Sequence, residues 1–178
     1  AMESGTLNIV IGKGPGARVI QLDLPPFTLI AATTRIALLS SPLRSRFSGG
    51  TFRLDFYTTT EIEKIVKRSA KILEVSLDGQ AAAAIAERSR FTPRIANQLL
   101  KRCRDFAQVH KQPLGVEIVR KTLAMLGIDD LGLSSADRRI LEILIEKFAG
   151  GPVGLGTIAA AASEEEATIA DVHEPYLL

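Results

Sequence analysis

Phe52-Arg53-Leu54-Asp55-Phe56-Tyr57-Thr58-Thr59-Thr60-Glu61-Ile62-Glu63-Lys64-Ile65-Val66, residues 52–66, is the stretch on which the fold turns. Over residues 51–56 the apolar side chains alternate, which is the period of a strand. After Thr58-Thr59-Thr60, any of which can cap a helix, they recur at Ile62, Ile65, Val66, Ala70 and Leu73, which is the period of a helix. The chain therefore divides into a β-rich part before this point and an all-α part after it.

Towards the N-terminus, residues 7–11 and 17–24 partly alternate and flank Gly12-Lys13-Gly14-Pro15-Gly16, the pattern of a β-hairpin with a glycine-rich tip. Pro25-Pro26 ends the pairing, and the short apolar run Phe27–Ala32 predicts a central strand covered on both faces. Towards the C-terminus a second helix spans about residues 78–88. A third takes Thr92 as N-cap and Pro93 as first residue, with Ile95, Leu99, Cys103 and Phe106 on its apolar face. A fourth runs over residues 116–126 and stops at Gly127. Ser134 or Ser135 caps a fifth, whose apolar face is Ile140, Leu141, Leu144, Ile145 and Phe148. Two short helices near 155–161 and 167–172 complete a helix-turn-helix pattern.

The 178 residues, 46% hydrophobic and 24% charged, have the composition of an ordinary globular protein. The single cysteine excludes an internal disulfide, and two distant histidines give no metal-ligand spacing. No apolar run approaches the ~20 residues that span a bilayer, and no signal-peptide pattern opens the chain, so a cytoplasmic location without membrane contact is expected. Charge is asymmetric: residues 1–128 hold 19 Lys/Arg against 10 Asp/Glu, whereas residues 129–178 hold 3 against 10. A boundary near Ile128-Asp129 follows, although oppositely charged solvated faces explain the same split.

Gly12–Gly16 does not satisfy a P-loop. That motif requires glycine where Leu7 stands and a hydroxyl where Gly14 stands, and Pro15 has no N–H to offer a phosphate. Thr33 and Thr34 follow the apolar run; they either simply finish a strand or place a hydroxyl at its C-terminal edge, where nucleotide sites of open α/β sheets lie. Arg44 and Arg46 alternate with Leu43 and Phe47 in a short helix. Surface arginine is the ordinary reading; the sharper one is a finger that reaches a phosphate held by a neighbouring subunit. Arg94 opposes the dipole of the helix it opens, a cost more often met at a functional residue. Glu164, Glu165, Glu166, Asp171 and Glu174 make the last helices poor readers of DNA phosphates.

Residues 9–18 (Ile-Val-Ile-Gly-Lys-Gly-Pro-Gly-Ala-Arg), 22–30, Ala32-Thr33-Thr34-Arg35 and 39–47 resemble the RuvB family of bacterial Holliday-junction branch-migration ATPases. So do Ala1-Met2-Glu3, Thr92-Pro93-Arg94-Ile95-Ala96-Asn97, residues 104–107 and 150–155, and Glu174-Pro175-Tyr176-Leu177. The resemblance spans essentially the whole chain. It implies an α/β remnant of an AAA+ ATPase core (hairpin plus strands) over residues 1–58, an all-α lid bundle over 59–129 and a truncated winged-helix head over 130–178. It further implies an ATP-dependent DNA helicase that forms a homo-hexamer on double-stranded DNA and is loaded at the Holliday junction by a RuvA-like protein.

By the same resemblance Thr34 (or Thr33) would position the attacking water, Arg46 would be the trans-acting finger with Arg44 beside it, and Arg94 with Pro93 would sense nucleotide from the lid. Tyr57 would contact the base, Glu3 would lie near the neighbour's ATP, and Ile9, Ile11, Val19 and Ile20 would dock RuvA. The family's Walker A and B segments and basic wing have no counterpart here, so ATP and Mg²⁺ belong to the complete protein and this chain alone is expected to be inactive. Two alternatives remain open: a non-catalytic module that docks a RuvA-like partner through the hairpin, and a related clamp-loader-type ATPase.

Overall fold

The computed structural model describes residues 4–47 and 49–178. One compact unit runs to Leu54 and a second from Asp55 to Leu178. In the first, β1 (Thr6–Ile11) pairs antiparallel with β2 (Arg18–Asp23) in the register Leu7–Leu22, Ile9–Ile20, Ile11–Arg18. The tip closes in a tight turn over Gly14–Gly16, where the Ala17 amide donates to the Gly14 carbonyl at 3.1 Å. Gly12 and Gly14 both take positive φ there, which explains the glycines without a phosphate. After a turn at Ile36–Leu38, the single helical turn α1 (Ser41–Arg44) carries Arg44, and Arg46 lies in the turn that follows it rather than in the helix.

The strands predicted at residues 27–32 and 51–56 do not form. A strand exists only where a neighbour supplies hydrogen bonds, and among the described residues the sheet consists of β1 and β2. Ile30 and Leu54 are each 89% exposed, so both runs have the composition of covered strands without their cover.

The second unit contains two apolar clusters. In the first, α2 (Thr59–Ile72), α3 (Gly79–Glu87), α4 (Pro93–Val109) and α5 (Val116–Met125) form a four-helix bundle. Thr58 caps α2 in a reciprocal box with Glu61, and Asp78 caps α3 through a 2.6 Å bond from the Ala81 amide. Helix α3 buries Ala81, Ala82, Ala84, Ile85 and Ala86, and these small side chains let α2, α4 and α5 approach it closely. Leu99, Leu100 and Cys103 of α4 close the core. Burial raises the Cys103 thiol to about 11, which makes it a packing residue rather than a nucleophile. Thr92 occupies the N-cap position before Pro93, but its hydroxyl donates to the Ser89 carbonyl and caps nothing.

The second cluster joins α6 (Ser135–Phe148), α7 (Leu155–Ala162) and a composite final helix. Ile140 and Ile143 are buried, whereas Ile145, expected on the apolar face, is exposed. The final helix starts as α8 (Glu166–Thr168), widens to a π turn over Ile169–His173 and ends as α9 (Glu174–Leu177). Pro175 explains the widening: it lacks the amide that an α-helical bond requires, and the Glu174 amide reaches five residues back to the Ile169 carbonyl. The helix expected to end at residue 172 therefore continues, with its phase shifted, and His173 turns inward.

Candidate functional site

The arginine turn is built locally. Pro42 sits in the first turn of α1, the Ser45 hydroxyl donates to the Pro42 carbonyl at 3.0 Å, and the Arg46 and Phe47 amides close 3.2 Å bonds to Leu43 and Arg44. Leu43 and Phe47 are half-buried while Arg44 and Arg46 are exposed on the same short turn. Thr33 and Thr34 are exposed in an irregular segment rather than at the end of a buried strand, because that strand has no partner. The Thr33 hydroxyl accepts the Arg35 amide at 3.0 Å and so shapes a local turn. Glu3 lies outside the described residues.

Among the described residues no phosphate-cradling loop forms. The glycines of residues 12–16 lead into strand β2 and not into a helix N-terminus, so no row of amides converges on an anion. Among the described residues no cluster of carboxylates and histidines could hold a divalent ion.

The hairpin sorts its apolar residues onto two faces. Directly opposed residues share a face, so Leu7, Leu22, Ile9, Ile20 and Ile11 line one side while Val10 and Val19 pair on the other. Ile9, Ile11 and Ile20 are thus brought together and Val19 is not. All four are at least 40% exposed.

Tyr57, Pro93 and Arg94 meet at the start of α4. The Tyr57 amide donates to the Phe91 carbonyl at 3.3 Å, and Arg94 is exposed one residue into the helix that Pro93 opens. The turn before α4 holds Arg90 and Phe91 both at positive φ, a strained arrangement for residues with side chains.

That strained turn is tied to the C-terminal helices by a cluster that pattern reading missed. Asp137 is fully buried, and its two oxygens receive four donors. Oδ2 accepts the Ser134 amide at 2.8 Å and hydroxyl at 2.6 Å; Oδ1 accepts His173 Nδ1 at 2.6 Å and Arg90 Nη2 at 3.2 Å. The same Arg90 nitrogen reaches the Val172 carbonyl, and its guanidinium lies 4.5 Å from the centroid of the Tyr176 ring. Tyr176 in turn donates to the Leu131 carbonyl at 2.7 Å and stands against the Phe91 ring. Only the Ser134–Asp137 capping spacing was visible in sequence; the partners lie 36 and 47 residues away.

Burial pushes the Asp137 carboxyl up, but the bonds from His173 and Ser134 and the charge of Arg90 outweigh it and hold the group below its usual 3.8. A lowered carboxylate stabilises the fold fully above its unfolded value, and the contribution is lost as pH falls through the folded one. The stability difference between wild type and Asp137→Asn, measured by urea unfolding, is therefore expected to shrink as pH falls below about 4.

Comparison with known proteins gives three consecutive family matches. Residues 1–54 match the Holliday junction DNA helicase RuvB P-loop domain, residues 57–129 the RuvB AAA lid domain, and residues 130–178 the RuvB C-terminal winged helix domain. The chain is 55% identical over its whole length to the Holliday junction branch migration complex subunit RuvB of Oleidesulfovibrio alaskensis, and it spans 56% of that protein. Among solved structures, the Thermotoga maritima RuvB Holliday junction branch migration motor superimposes with a TM-score of 0.78 at 52% identity, covering 86% of this chain and 52% of that one.

Proposed function

Because the chain belongs to the RuvB family, we propose that it supplies the finger, lid and head of an ATP-dependent motor that drives branch migration at Holliday junctions. The observation that carries this reading is the division of equipment within the chain. Exposed Arg44 and Arg46 share one short turn, and Tyr57 bonds the turn from which Pro93 and Arg94 open α4. Yet the glycine-rich run Gly12–Gly16 is a hairpin tip that leads into β2 and not into a helix.

In this reading Arg46, with Arg44 beside it, acts on a phosphate bound by the adjacent subunit of a homo-hexameric ring. Arg94 reports nucleotide to the lid, Tyr57 lies against the base, and a hydroxyl of Thr33 or Thr34 orients water. ATP and Mg²⁺ are held by P-loop and acidic residues that lie outside this chain's own sequence. The exposed apolar face of the hairpin supports docking of a RuvA-like protein, and the acidic C-terminal helices support the view that duplex DNA is gripped elsewhere in the subunit. The described residues contain no helix long and apolar enough to cross a membrane, in keeping with work in the bacterial cytoplasm.

The 178 residues alone are expected to hydrolyse no ATP, whereas a complete subunit carrying them, mixed with a RuvA-like protein and a synthetic four-way junction, is expected to hydrolyse ATP and separate the junction into duplex products. Phosphate release by the isolated chain above a buffer blank would sink the division of labour. A complete subunit that binds the partner but neither hydrolyses ATP nor moves the junction would favour a docking module instead, to which the hairpin face alone would correspond.

A further inference from the structure

The lid and the head are joined by more than a linker. The turn that precedes α4 sends Arg88 and Arg90 into the head, on either side of the buried Ser89. Arg90 is 15% exposed and bonds both Asp137 at the start of α6 and the Val172 carbonyl in the π turn, so one guanidinium touches the first and last helices of the head. His173 completes the arrangement from the π turn through Nδ1, which must be the donor because an ionised carboxylate only accepts. Below this, Gly132 fits where no other residue does: a Cβ there would lie 2.7 Å from the Tyr176 hydroxyl and 3.2 Å from Arg88 Cα, and its φ is +78°. Arg138 fixes the linker from the other side, with donors to Asp129, the Leu133 carbonyl and the Gly127 carbonyl.

We propose that Asp137 is a latch whose simultaneous grip on Arg90 and His173 locks the head to the turn that sets α4, so that lid and head move as one body. Asp137 and Arg90 are thus positioning residues. Arg94 lies four residues beyond Arg90, across the strained Arg90-Phe91 pair and Pro93. There is little slack between the two arginines, and a displacement felt at Arg94 is delivered to the head as a rotation. This last consequence rests on the proposed nucleotide-sensing role of Arg94; the mechanical lock does not.

The lock is tested on the chain itself with spin labels at Lys101→Cys in α4 and Glu146→Cys in α6, both exposed, since buried Cys103 takes no label. One narrow distance is expected. Arg90→Gln, which leaves the Ser134–Asp137 cap intact, and Asp137→Asn, which keeps the shape, should each broaden the distribution while circular dichroism shows the helices retained. Unchanged width in both variants overturns the lock. In the complete subunit, Arg90→Gln should leave kcat for ATP within about twofold while the base pairs migrated per ATP fall about tenfold. Broadened distances with an unchanged yield per ATP overturn the transmission and leave the lock standing. Failure of the unsubstituted complete subunit to use ATP would count against the functional reading, and the label distances still decide the lock.

Discussion

Arg46→Ala in a complete RuvB-family subunit is expected to lower kcat for ATP by about 10³-fold or more, with nucleotide affinity nearly unchanged. The expectation comes from how the side chain is mounted. Leu43 and Phe47 are half-buried, Pro42 fixes the entry to α1, and the turn is closed by its own backbone bonds, so exposed Arg46 follows a locally hydrogen-bonded turn. A group held this way stabilises charge that develops in the transition state without reorganising, which affects kcat rather than ground-state binding. Arg46→Lys should not restore activity, because an ammonium lacks the planar fork. Mixing the Arg46→Ala subunit with one lacking its P-loop lysine should recover part of the activity, since each active interface then takes its arginine from one partner and its cradle from the other. Absence of recovery at every mixing ratio would remove action in trans from the account.

The second large effect belongs to the hairpin. Ile9→Asp should weaken binding of a RuvA-like partner by about 10²–10³-fold, because a carboxylate is then buried in an apolar contact without a compensating bond. Ile9 stands opposite Ile20 at the centre of the row formed by Leu7, Leu22 and Ile11, and its present exposure means the substitution breaks no core of its own. Val19→Asp, on the opposite face, should cost no more than about tenfold. Calorimetric titration of the two variants compares the faces directly; equal losses would show that the row is not the docking surface.

Much of the α-helical part was legible because its signals are local. Thr58-x-x-Glu61, Asp78, Pro93 and Ser134 each mark a helix start within four residues, and the 3.6-residue period picks out Ile62, Val66, Leu99 and Cys103 as core. The hairpin was legible for the same reason, through its glycine tip. What failed was non-local. Residues 27–32 and 51–56 have strand composition, but a strand is a relation between segments, and composition cannot report whether a neighbour is there. The phase of the last helix was hidden too: Pro175 foretells a disturbance, but not that a π turn would absorb it and swing His173 inward. Of the candidate site, the arginine turn and the bundle end could be named from sequence, whereas Arg90, Asp137 and His173 could not, since nothing in their immediate surroundings announces one another.

The two oxygens of Asp137 leave no vacancy. With Ser134 on one and His173 and Arg90 on the other, the buried carboxylate has all four of its acceptor directions used. Loss of a partner leaves the buried Asp137 carboxylate short of a donor, while replacement of the whole set by apolar residues of like volume carries no such penalty. The four positions are therefore coupled: each single substitution is expected to cost more than the simultaneous replacement of all four. Substitutions on the lid surface or the head surface leave these bonds untouched, whereas a change at any of the four positions alters the whole set.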